Sequence, residues 1–511
     1  MSILRAENIT HKIKGKPLYE DATLIINNGE HIALVGPNGA GKTTLLNILS
    51  KKINPDNIFF KFGKNCKIGY LDQHQDVDRN LTVIQYLHST YQNLYDKSQK
   101  IEDIYSKMSE EYNEKEYMKA MGLQEELEHS GFYSIDQTIG NLIDGLAIDK
   151  EWHDKKLEEL SGGQRGKVLL AKLLLSDNDL LLLDEPTNFL DVQQVKWLIK
   201  FLNNYKNAFL LVSHDRDFIN QTCSIIYAIE NKIINRYVGN FEKFIEQSEL
   251  RRDQYEKAYE SQIKKIDKLK TYVDKNKARA STAKSAQSRQ KQIDKMVKLD
   301  KLAKEPLPKF NFKYIRPSTS LFVKADNLEI GYKNKALLKP LTFEIRENEK
   351  WIVKGYNGIG KTTLLNTLYG LVDKISGTLK LGDQLKIGYF KQIEDLDERT
   401  PIEYLKTLKP NLEDKAIKTI LASVGIKTSL MFNKMNQLSG GQQTKVRIAE
   451  LCLEPYGLLI LDEPTNHIDI AAKSALLEAI QKFKGAILIT THDINFETNW
   501  ADKILNFEDL I

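Results

Sequence analysis

Two glycine-rich segments with the pattern G-x-x-x-x-G-K-T occur in the 511-residue chain, one in each half. Each follows a short apolar run and precedes apolar residues at helical spacing, which is the context that a phosphate-binding loop requires. The glycines let the backbone curl until several N–H groups face a phosphate, and the start of the following helix adds positive potential. Lys42 and Lys361 are expected to reach the β- and γ-phosphates of a nucleotide, and Thr43 and Thr362 to bind Mg²⁺.

We call residues 36–44 the first phosphate loop and residues 355–363 the second phosphate loop. A single match to this pattern can arise by chance, but two matches in register with the further repeated motifs described below cannot be dismissed in that way. The sequence predicts that ATP is bound by Gly36, Asn38, Gly39, Gly41, Lys42, Thr43 and Thr44 in the first loop and by Gly355, Asn357, Gly358, Gly360, Lys361, Thr362 and Thr363 in the second.

Each half also contains a fully apolar run, as expected for a buried parallel strand, that ends in the dipeptide Asp-Glu. At the end of such a strand, Asp184 and Asp462 can hold Mg²⁺ directly or through water. Glu185 and Glu463 follow them and are predicted to face the attacking water. A simple helix cap is the alternative for an acidic pair at a strand end, and the nearby phosphate loops disfavour it.

These motifs belong to an internal repeat, which divides the chain into two copies of one domain. Leu-Ser-Gly-Gly-Gln at 160–164 recurs at 438–442, and Ser-His-Asp at 213–215 is matched by Thr-His-Asp at 491–493. The early motifs are 319 positions apart and the later ones 278, so the first copy carries 41 additional residues. We place the first domain at 1–242 and the second at 318–511.

The additional residues are expected near 85–135, where apolar and aromatic residues recur at roughly helical spacing. This pattern predicts an inserted helical hairpin, an arm on the first domain. A larger helical subdomain that binds no partner is the alternative, and the sequence leaves it open.

A basic segment at 243–317 joins the two domains. From about residue 244 to residue 304 it contains no glycine and no proline, and apolar residues repeat every three to four positions. This predicts two long antiparallel helices that turn near 276–285. Between Lys264 and Lys304 there are fourteen Lys and Arg residues against four Asp and Glu, an excess larger than the net charge of +5 of the whole chain.

The composition excludes several other classes of protein. The three cysteines, Cys66, Cys223 and Cys452, are far apart and form no C-x-x-C pair, which disfavours a disulfide framework or a structural zinc site. The N-terminus has no secretory signal pattern, and no apolar run approaches the ~20 residues of a membrane span. We therefore expect a cytoplasmic protein with no membrane partner.

The order of these motifs resembles the ABC ATPase superfamily, in which Leu-Ser-Gly-Gly-Gln is the signature segment. Two such domains joined by a basic helical pair, without membrane spans, resemble its ABC-F family over nearly the whole chain. The resemblance implies an α/β fold of two tandem P-loop ABC domains joined by a long antiparallel α-helical linker. It also implies a monomer in which the two domains pair head to tail, and each ATP lies between one phosphate loop and the other domain's signature segment.

The resemblance further assigns residues to the two sites. It implies that Gln73 and Gln392 join the threonines and aspartates named above as Mg²⁺ ligands, some of them through water. His214 and His492 are implied to be switch residues that contact the γ-phosphate. The first site would be closed by Ser439, Gly440, Gly441 and Gln442, and the second by Ser161, Gly162, Gly163 and Gln164.

Two positions depart from the family pattern. The family places an aromatic residue under the adenine, and Tyr332 fits this role in the second domain. The 319 offset places Ile13 at the equivalent position of the first domain, where adenine stacking should be weaker. Tyr356 stands in the second phosphate loop where Pro37 stands in the first.

The resemblance implies an ATP hydrolase that binds the ribosome at the tRNA exit site while ATP is bound and leaves after hydrolysis, thereby modulating translation. The linker would contact rRNA or peptidyl-tRNA. The basic residues expected at its tip are Lys275, Lys277, Arg279, Lys284 and Arg289. A solvated coiled coil is the alternative for the linker. A ribosome-protection protein that confers antibiotic resistance and a DNA-associated tandem ATPase are the alternative functions, and a transporter subunit is disfavoured.

Overall fold

The computed structural model describes residues 2–13, 15–37, 39–63, 66–71, 80–108, 113–230, 232–276, 280–296, 307–332, 335–356, 358–391, 398–466, 468–491 and 500–510. In the first domain the strands are β1 (Ser2–Ile13), β2 (Lys16–Asn27), β3 (His31–Val35), β4 (Asn57–Phe62), β5 (Ile68–Leu71), β6 (Leu180–Asp184), β7 (Ala208–Val212), β8 (Ile225–Glu230) and β9 (Ile233–Val238). The helices of this domain are α1 (Lys42–Leu49), α2 (Val83–His88), α3 (Gln92–Met108), α4 (Glu114–His129), α5 (Ile135–Gly145), α6 (Gly162–Leu175), α7 (Val192–Asn203) and α8 (Arg216–Thr222).

The linker contains α9 (Phe241–Asn276) and α10 (Ala280–Lys295). The strands that follow it are β10 (Lys313–Tyr314), β11 (Leu321–Glu329), β12 (Gly331–Tyr332), β13 (Lys335–Ala336), β14 (Leu341–Arg346), β15 (Lys350–Lys354), β16 (Ser376–Leu381), β17 (Ile387–Phe390), β18 (Pro455–Tyr456), β19 (Leu458–Asp462), β20 (Ala486–Thr490) and β21 (Lys503–Asn506). The remaining helices are α11 (Lys361–Tyr369), α12 (Pro401–Leu408), α13 (Asp414–Ser423), α14 (Gly440–Leu451) and α15 (Ile470–Lys482).

Each domain is built around a central sheet of parallel strands. The order in the first domain is β5-β6-β7-β3-β8-β9, with only the β8–β9 pair antiparallel, and the order in the second is β17-β19-β20-β15-β21. A smaller antiparallel sheet accompanies each, β2-β1-β4 in the first domain and β14-β11-β16 in the second. The central strands follow the same order in both domains, as expected for two copies of one repeated sequence.

The central strands are buried on both faces, which explains their aliphatic sequences. Leu181 and Leu183 of β6 belong to the core on one face of the sheet, together with residues of α6 and α7. Leu180 and Leu182 belong to the core on the other face, together with residues of α1 and the antiparallel sheet. Successive side chains of a strand point to opposite faces, so a strand of this kind must be apolar throughout.

The helical elements agree with the predicted fold class. In the stretch 85–135, α3 packs on α4, and Ile101, Ile104, Ala120 and Leu127 are buried. In the linker, α9 packs antiparallel on α10: the Tyr272 hydroxyl lies 3.4 Å from Ser285 Oγ, and the Arg289 guanidinium lies 3.7 Å from the centre of the Tyr272 ring. The structure thus confirms two tandem P-loop α/β domains joined by a long antiparallel helical pair. None of the described helices is long and apolar enough to cross a membrane.

A hydrogen bond from a side chain to the backbone recurs in both domains, at the start of the strand that precedes the phosphate loop. Lys350 at the start of β15 is 5% exposed, and its ammonium donates to the carbonyls of Phe483 (2.7 Å) and Gly485 (2.6 Å) before β20. His31 is its counterpart in the repeat, and His31 Nε2 lies 3.0 Å from the carbonyl of Tyr205. Each side chain thus provides a hydrogen-bond partner for backbone carbonyls in the segment just before the neighbouring strand.

We predict that Lys350→Ala lowers the unfolding free energy of the second domain by about 1–3 kcal/mol, because the carbonyls lose a buried donor. Lys350→His, which copies the first domain, should restore most of the loss. Burial lowers the pKa of Lys350 to about 8, below the value of the unfolded chain. Between these two pKa values the unfolded chain binds more protons, so native stability should rise as the pH increases from about 8 to about 10.5.

Calorimetric melting at pH 7, 8, 9 and 10 measures both the loss of unfolding free energy in the variants and the pH dependence of stability. In Lys350→Ala the contribution of this residue to the pH dependence should disappear. An alanine variant with the stability and pH profile of the unsubstituted chain would show that the hydrogen bonds of Lys350 contribute nothing to the unfolding free energy.

Candidate functional site

The first phosphate loop connects β3 to α1, and its lysine is folded back on the loop. Lys42 is buried, and its ammonium donates to the carbonyls of Gly36 (2.9 Å) and Pro37 (3.3 Å). Gly41 has φ 101° at the helix start, and its carbonyl accepts from the buried Tyr19 hydroxyl. A Cβ at Gly41 would overlap Tyr19, so glycine is required there for both reasons. Burial lowers the pKa of Lys42, and the carboxylates of the site act in the opposite direction.

The second phosphate loop repeats this geometry and explains one departure from the family pattern. Lys361 donates to the carbonyls of Gly355 (2.6 Å) and Tyr356 (3.1 Å), as Lys42 does in the first loop. At the Pro37/Tyr356 position the lysine uses the backbone carbonyl, which either residue type supplies. The Tyr356 side chain is 44% exposed, so a large side chain fits at this position without being buried in the loop.

The acidic pair of the second domain lies beside the threonines of two neighbouring segments. Asp462 is buried, accepts from Thr362 Oγ1 at 2.8 Å and from Thr490 Oγ1 at 2.6 Å, and burial raises its pKa. Hydroxyl and carboxylate oxygens gathered in this way are ligands that suit Mg²⁺, which binds through few side chains, water and phosphate oxygens. The residues at this strand end therefore fit the expected metal ion. Sequence reasoning missed Thr490, the last residue of β20, which pairs in register with Asp462.

The glutamates after the two aspartates have unusual backbone conformations. Glu185 has φ 49° and Glu463 has φ 51°, in the left-handed region that side chains other than glycine rarely adopt. The Glu185 N–H donates to the Val212 carbonyl at 2.9 Å, and the Glu463 N–H donates to the Thr490 carbonyl at 3.1 Å. The neighbouring strand thus holds each strained residue in place. Strain of this kind, on the order of 1–3 kcal/mol, is often found at functional sites.

In the first domain the glutamate contacts the predicted switch histidine. Glu185 Oε1 lies 3.5 Å from His214 Nε2, and both side chains are largely buried. Burial, together with the charge of the neighbouring Asp184, raises the pKa of Glu185 to about 8, although Lys42 and Lys473 act in the opposite direction. The structure therefore brings Lys42, Asp184, Glu185 and His214 together at one end of the central sheet.

The signature segments begin helices α6 and α14, as their sequences predict. Ser161 Oγ accepts from the Gln164 N–H at 3.3 Å, and Gln164 Oε1 accepts from the Ser161 N–H at 2.9 Å. Ser439 and Gln442 form the same reciprocal capping box. Gly162, Gly163, Gly440 and Gly441 form the first turns of these helices, where N–H groups and the helix dipole favour an anion.

The two domains face each other across the phosphate loops. A Cβ at Gly39 of the first phosphate loop would lie 3.7 Å from Gln442 Nε2 of the second signature segment. The charges of Asp469 and Lys445 from the second domain act on Lys42, and the charge of Asp191 from the first domain acts on Lys361. Each phosphate loop therefore faces residues of the other domain. A cavity of about 870 Å³ at this interface is lined by both, including Lys42, His214 and Asp469.

The residues at the two candidate adenine positions differ in chemistry, and their roles stay predictions. Tyr332 is half-exposed, and its hydroxyl accepts from Thr363 Oγ1 at 3.3 Å, which places the ring beside the second phosphate loop. Ile13 at the end of β1 is 45% exposed and offers only an aliphatic surface.

Several predicted site residues lie outside the described residues, and their roles stay predictions. They are Asn38, Gln73, Asn357, Gln392 and His492 of the two sites and Lys277 and Arg279 of the linker. Of the other predicted linker residues, Lys275 and Lys284 are exposed, whereas Arg289 is partly buried against Tyr272.

Comparison with known proteins agrees with this geometry. A family model described as ABC transporter matches residues 19–188 and 338–466, and a second model with the same description matches residues 227–312. The uncharacterized ABC transporter ATP-binding protein YfmM of Bacillus subtilis is 38% identical over 512 residues, which cover 99% of each chain. ABC transporter F family member 5 of Arabidopsis thaliana is 30% identical over 526 residues, which cover 99% of this chain and 75% of that protein.

Solved structures share the fold. An archaeal ribosome recycling factor, aABCE1, solved in complex with the ribosomal stalk protein aP1, superposes with a TM-score of 0.61 at 19% identity. The superposition covers 98% of this chain and 87% of that one. The motifs, the paired domains and the full-length relatives lead to one conclusion: this chain belongs to the ABC-F family, and its two ABC domains are ATP-binding ATPase domains.

Proposed function

We propose that this chain is a cytoplasmic ATPase that binds the ribosome at the tRNA exit site with ATP and Mg²⁺ bound, and that hydrolysis releases it. Through its linker it contacts rRNA or peptidyl-tRNA and so modulates translation. The observation that carries the proposal is that the phosphate loops of the two domains face residues of the opposite domain, while a basic helical pair connects the domains. Family membership supports the ribosome as the partner.

In the first site, the ammonium of Lys42 would leave the loop carbonyls and bind the β- and γ-phosphates of ATP. Thr43, Asp184 and, through water, Gln73 would hold Mg²⁺, which supplies charge neutralisation during phosphoryl transfer. Glu185 would orient the attacking water, and His214 would contact the γ-phosphate. The second signature segment, from Ser439, would close the site by presenting N–H groups to that phosphate.

The second site would work in the same way. Lys361 binds the phosphates, Thr362, Asp462 and Gln392 hold the metal ion, Glu463 orients water, and the first signature segment closes the site. Tyr332 stacks on the adenine. Because Ile13 replaces the aromatic ring in the first site, base selectivity should be weaker there.

The linker is the element that would transmit closure of the domains to RNA. Its exposed lysines extend beyond the predicted tip: Lys257, Lys264, Lys265 and Lys268 lie together on α9, where they surround a shallow surface pocket. These four lysines lie on one continuous helix, α9, which packs on α10, so a rotation of that helix would move all of them together. A lysine-rich surface recognises the shape and phosphates of structured RNA, and its affinity depends on salt.

We predict that the Glu185→Gln, Glu463→Gln variant co-sediments with ribosomes in ATP and not in ADP. The amides keep the volume of the side chains and block hydrolysis, so the closed state accumulates. Sedimentation at low and moderate salt with ATP, ADP and no nucleotide measures this. Glu413→Gln, at an exposed glutamate just before α13, is the matched control and should behave as the unsubstituted chain. Failure to pellet under every condition would exclude the ribosome as the partner and leave DNA and protein partners to be tested.

We predict that Lys275→Gln with Lys284→Gln weakens ribosome binding and reduces the slope of log affinity against log salt by about one to two, as expected for two lost phosphate contacts. Lys200→Gln with Lys380→Gln removes two exposed lysines from the domains and is the charge-matched control. Titration at four salt concentrations gives both slopes. Equal slopes for the two double variants would contradict an RNA-binding role for the linker tip.

A further inference from the structure

A lysine of the second domain lies beside the switch histidine of the first ATP site. Lys473 on α15 places Nζ 3.4 Å from the carbonyl oxygen of His214. Its charge also acts on the carboxyl group of Glu185. The repeat places Val195 of α7 at the equivalent position of the first domain, so that position carries no cation there.

The loop at residues 213–215 is held from within its own domain on both sides of His214. The Asp215 N–H donates to Ser213 Oγ at 3.1 Å. The Asp215 carboxylate accepts from the N–H groups of Asp217 (3.0 Å) and Phe218 (3.1 Å) at the start of α8. The carbonyl of His214, between these two anchors, accepts from the second domain. Lys473 therefore acts on the backbone of the residue that contacts Glu185.

Helix α15 is itself joined to the signature helix α14. Asp469 caps α15 by accepting from the Ala472 N–H at 2.9 Å, and its other oxygen lies 2.5 Å from the ammonium of Lys445 on α14. Both side chains of this ion pair are largely buried. A path of contacts thus runs from α14, which begins after Ser439, through the Lys445–Asp469 ion pair and the first turn of α15 to the loop that carries His214.

The first domain forms a different arrangement at the equivalent positions. Asp191 Oδ2 accepts from Gln194 Nε2 at 2.7 Å, within the start of α7. Ala472 replaces this glutamine in the second domain and cannot compete for the carboxylate, which pairs with Lys445. Ala472 and Lys473, which stand where the first domain has Gln194 and Val195, therefore both favour contact between α15 and the first ATP site.

We propose that Lys473 is a positioning residue that couples docking of the second signature segment to the loop of His214. Hydrolysis at the first ATP site therefore depends on a cation supplied by the other domain, and hydrolysis at the second site does not. This inference rests on the proposed ATPase function.

The test measures steady-state ATP hydrolysis in two backgrounds: Glu463→Gln, which leaves the first site active, and Glu185→Gln, which leaves the second. In the Glu463→Gln background, Lys473→Val should lower kcat by about ten- to a hundredfold, the size expected when a catalytic group is misplaced. KM should change by less than about twofold, since the phosphate loop is intact. Lys473→Arg should restore most of kcat. In the Glu185→Gln background Lys473→Val should have no effect.

Lys482→Val, at the other end of α15, is the matched control and should leave both backgrounds unchanged. An equal fall in both backgrounds would show a general loss of structure and overturn the proposal. An unchanged kcat in the Glu463→Gln background would overturn it too.

A cross-link provides a readout that needs no hydrolysis. Arg216→Cys and Ser474→Cys place thiols on opposite walls of the interdomain cavity, next to His214 and Lys473. A short bismaleimide should join them faster with ATP and Mg²⁺ than without, and Lys473→Val, but not Lys482→Val, should slow the reaction. If neither background hydrolyses ATP, the ATPase proposal fails. The cross-link then decides the role of Lys473: a rate unaffected by Lys473→Val overturns it, and a slowed rate supports it.

Discussion

Burial of the central parallel sheets on both faces is the constraint on which the rest of this structure depends. Strands β6 and β19 each present alternate aliphatic side chains to two different cores, so neither strand has a polar face. Polar residues can then appear only where the strand leaves the cores. Because neighbouring strands are parallel, their carboxyl ends meet at one edge. The phosphate loop after β3, the acidic pair after β6 and the histidine loop after β7 therefore converge.

The same constraint explains the strained glutamates. The backbone must turn sharply at the end of a buried strand while its N–H group remains bonded to the neighbouring strand. Glu185 and Glu463 meet both requirements in a left-handed conformation. The Glu185 carboxyl group is largely buried, and this burial raises its pKa. Fold stability elsewhere must offset this local cost.

The two sites are related by repetition but are not equivalent. The second has a tyrosine beside its phosphate loop, at the candidate adenine position, and the first receives an ammonium group from the opposite domain. Both differences lie at the periphery of the site, whereas the lysines, aspartates and glutamates are the same in both. Under the proposed function, such an arrangement would let one chain keep two hydrolytic sites that respond differently to domain closure. A single polypeptide can maintain this asymmetry, since the two copies can vary independently.

The sequence by itself determined the repeat, the two phosphate loops, the acidic strand ends, the capped signature helices and the helical linker. Each of these depends on local chemistry: glycine conformation, apolar periodicity, or a serine and a glutamine three residues apart. Only the tertiary structure decided which residues of one domain meet which residues of the other. The contact of Lys473 with His214 joins positions 259 apart, and the bond between Thr490 and Asp462 depends on strand register. Contacts of this kind depend on packing between distant segments, and no local pattern encodes them.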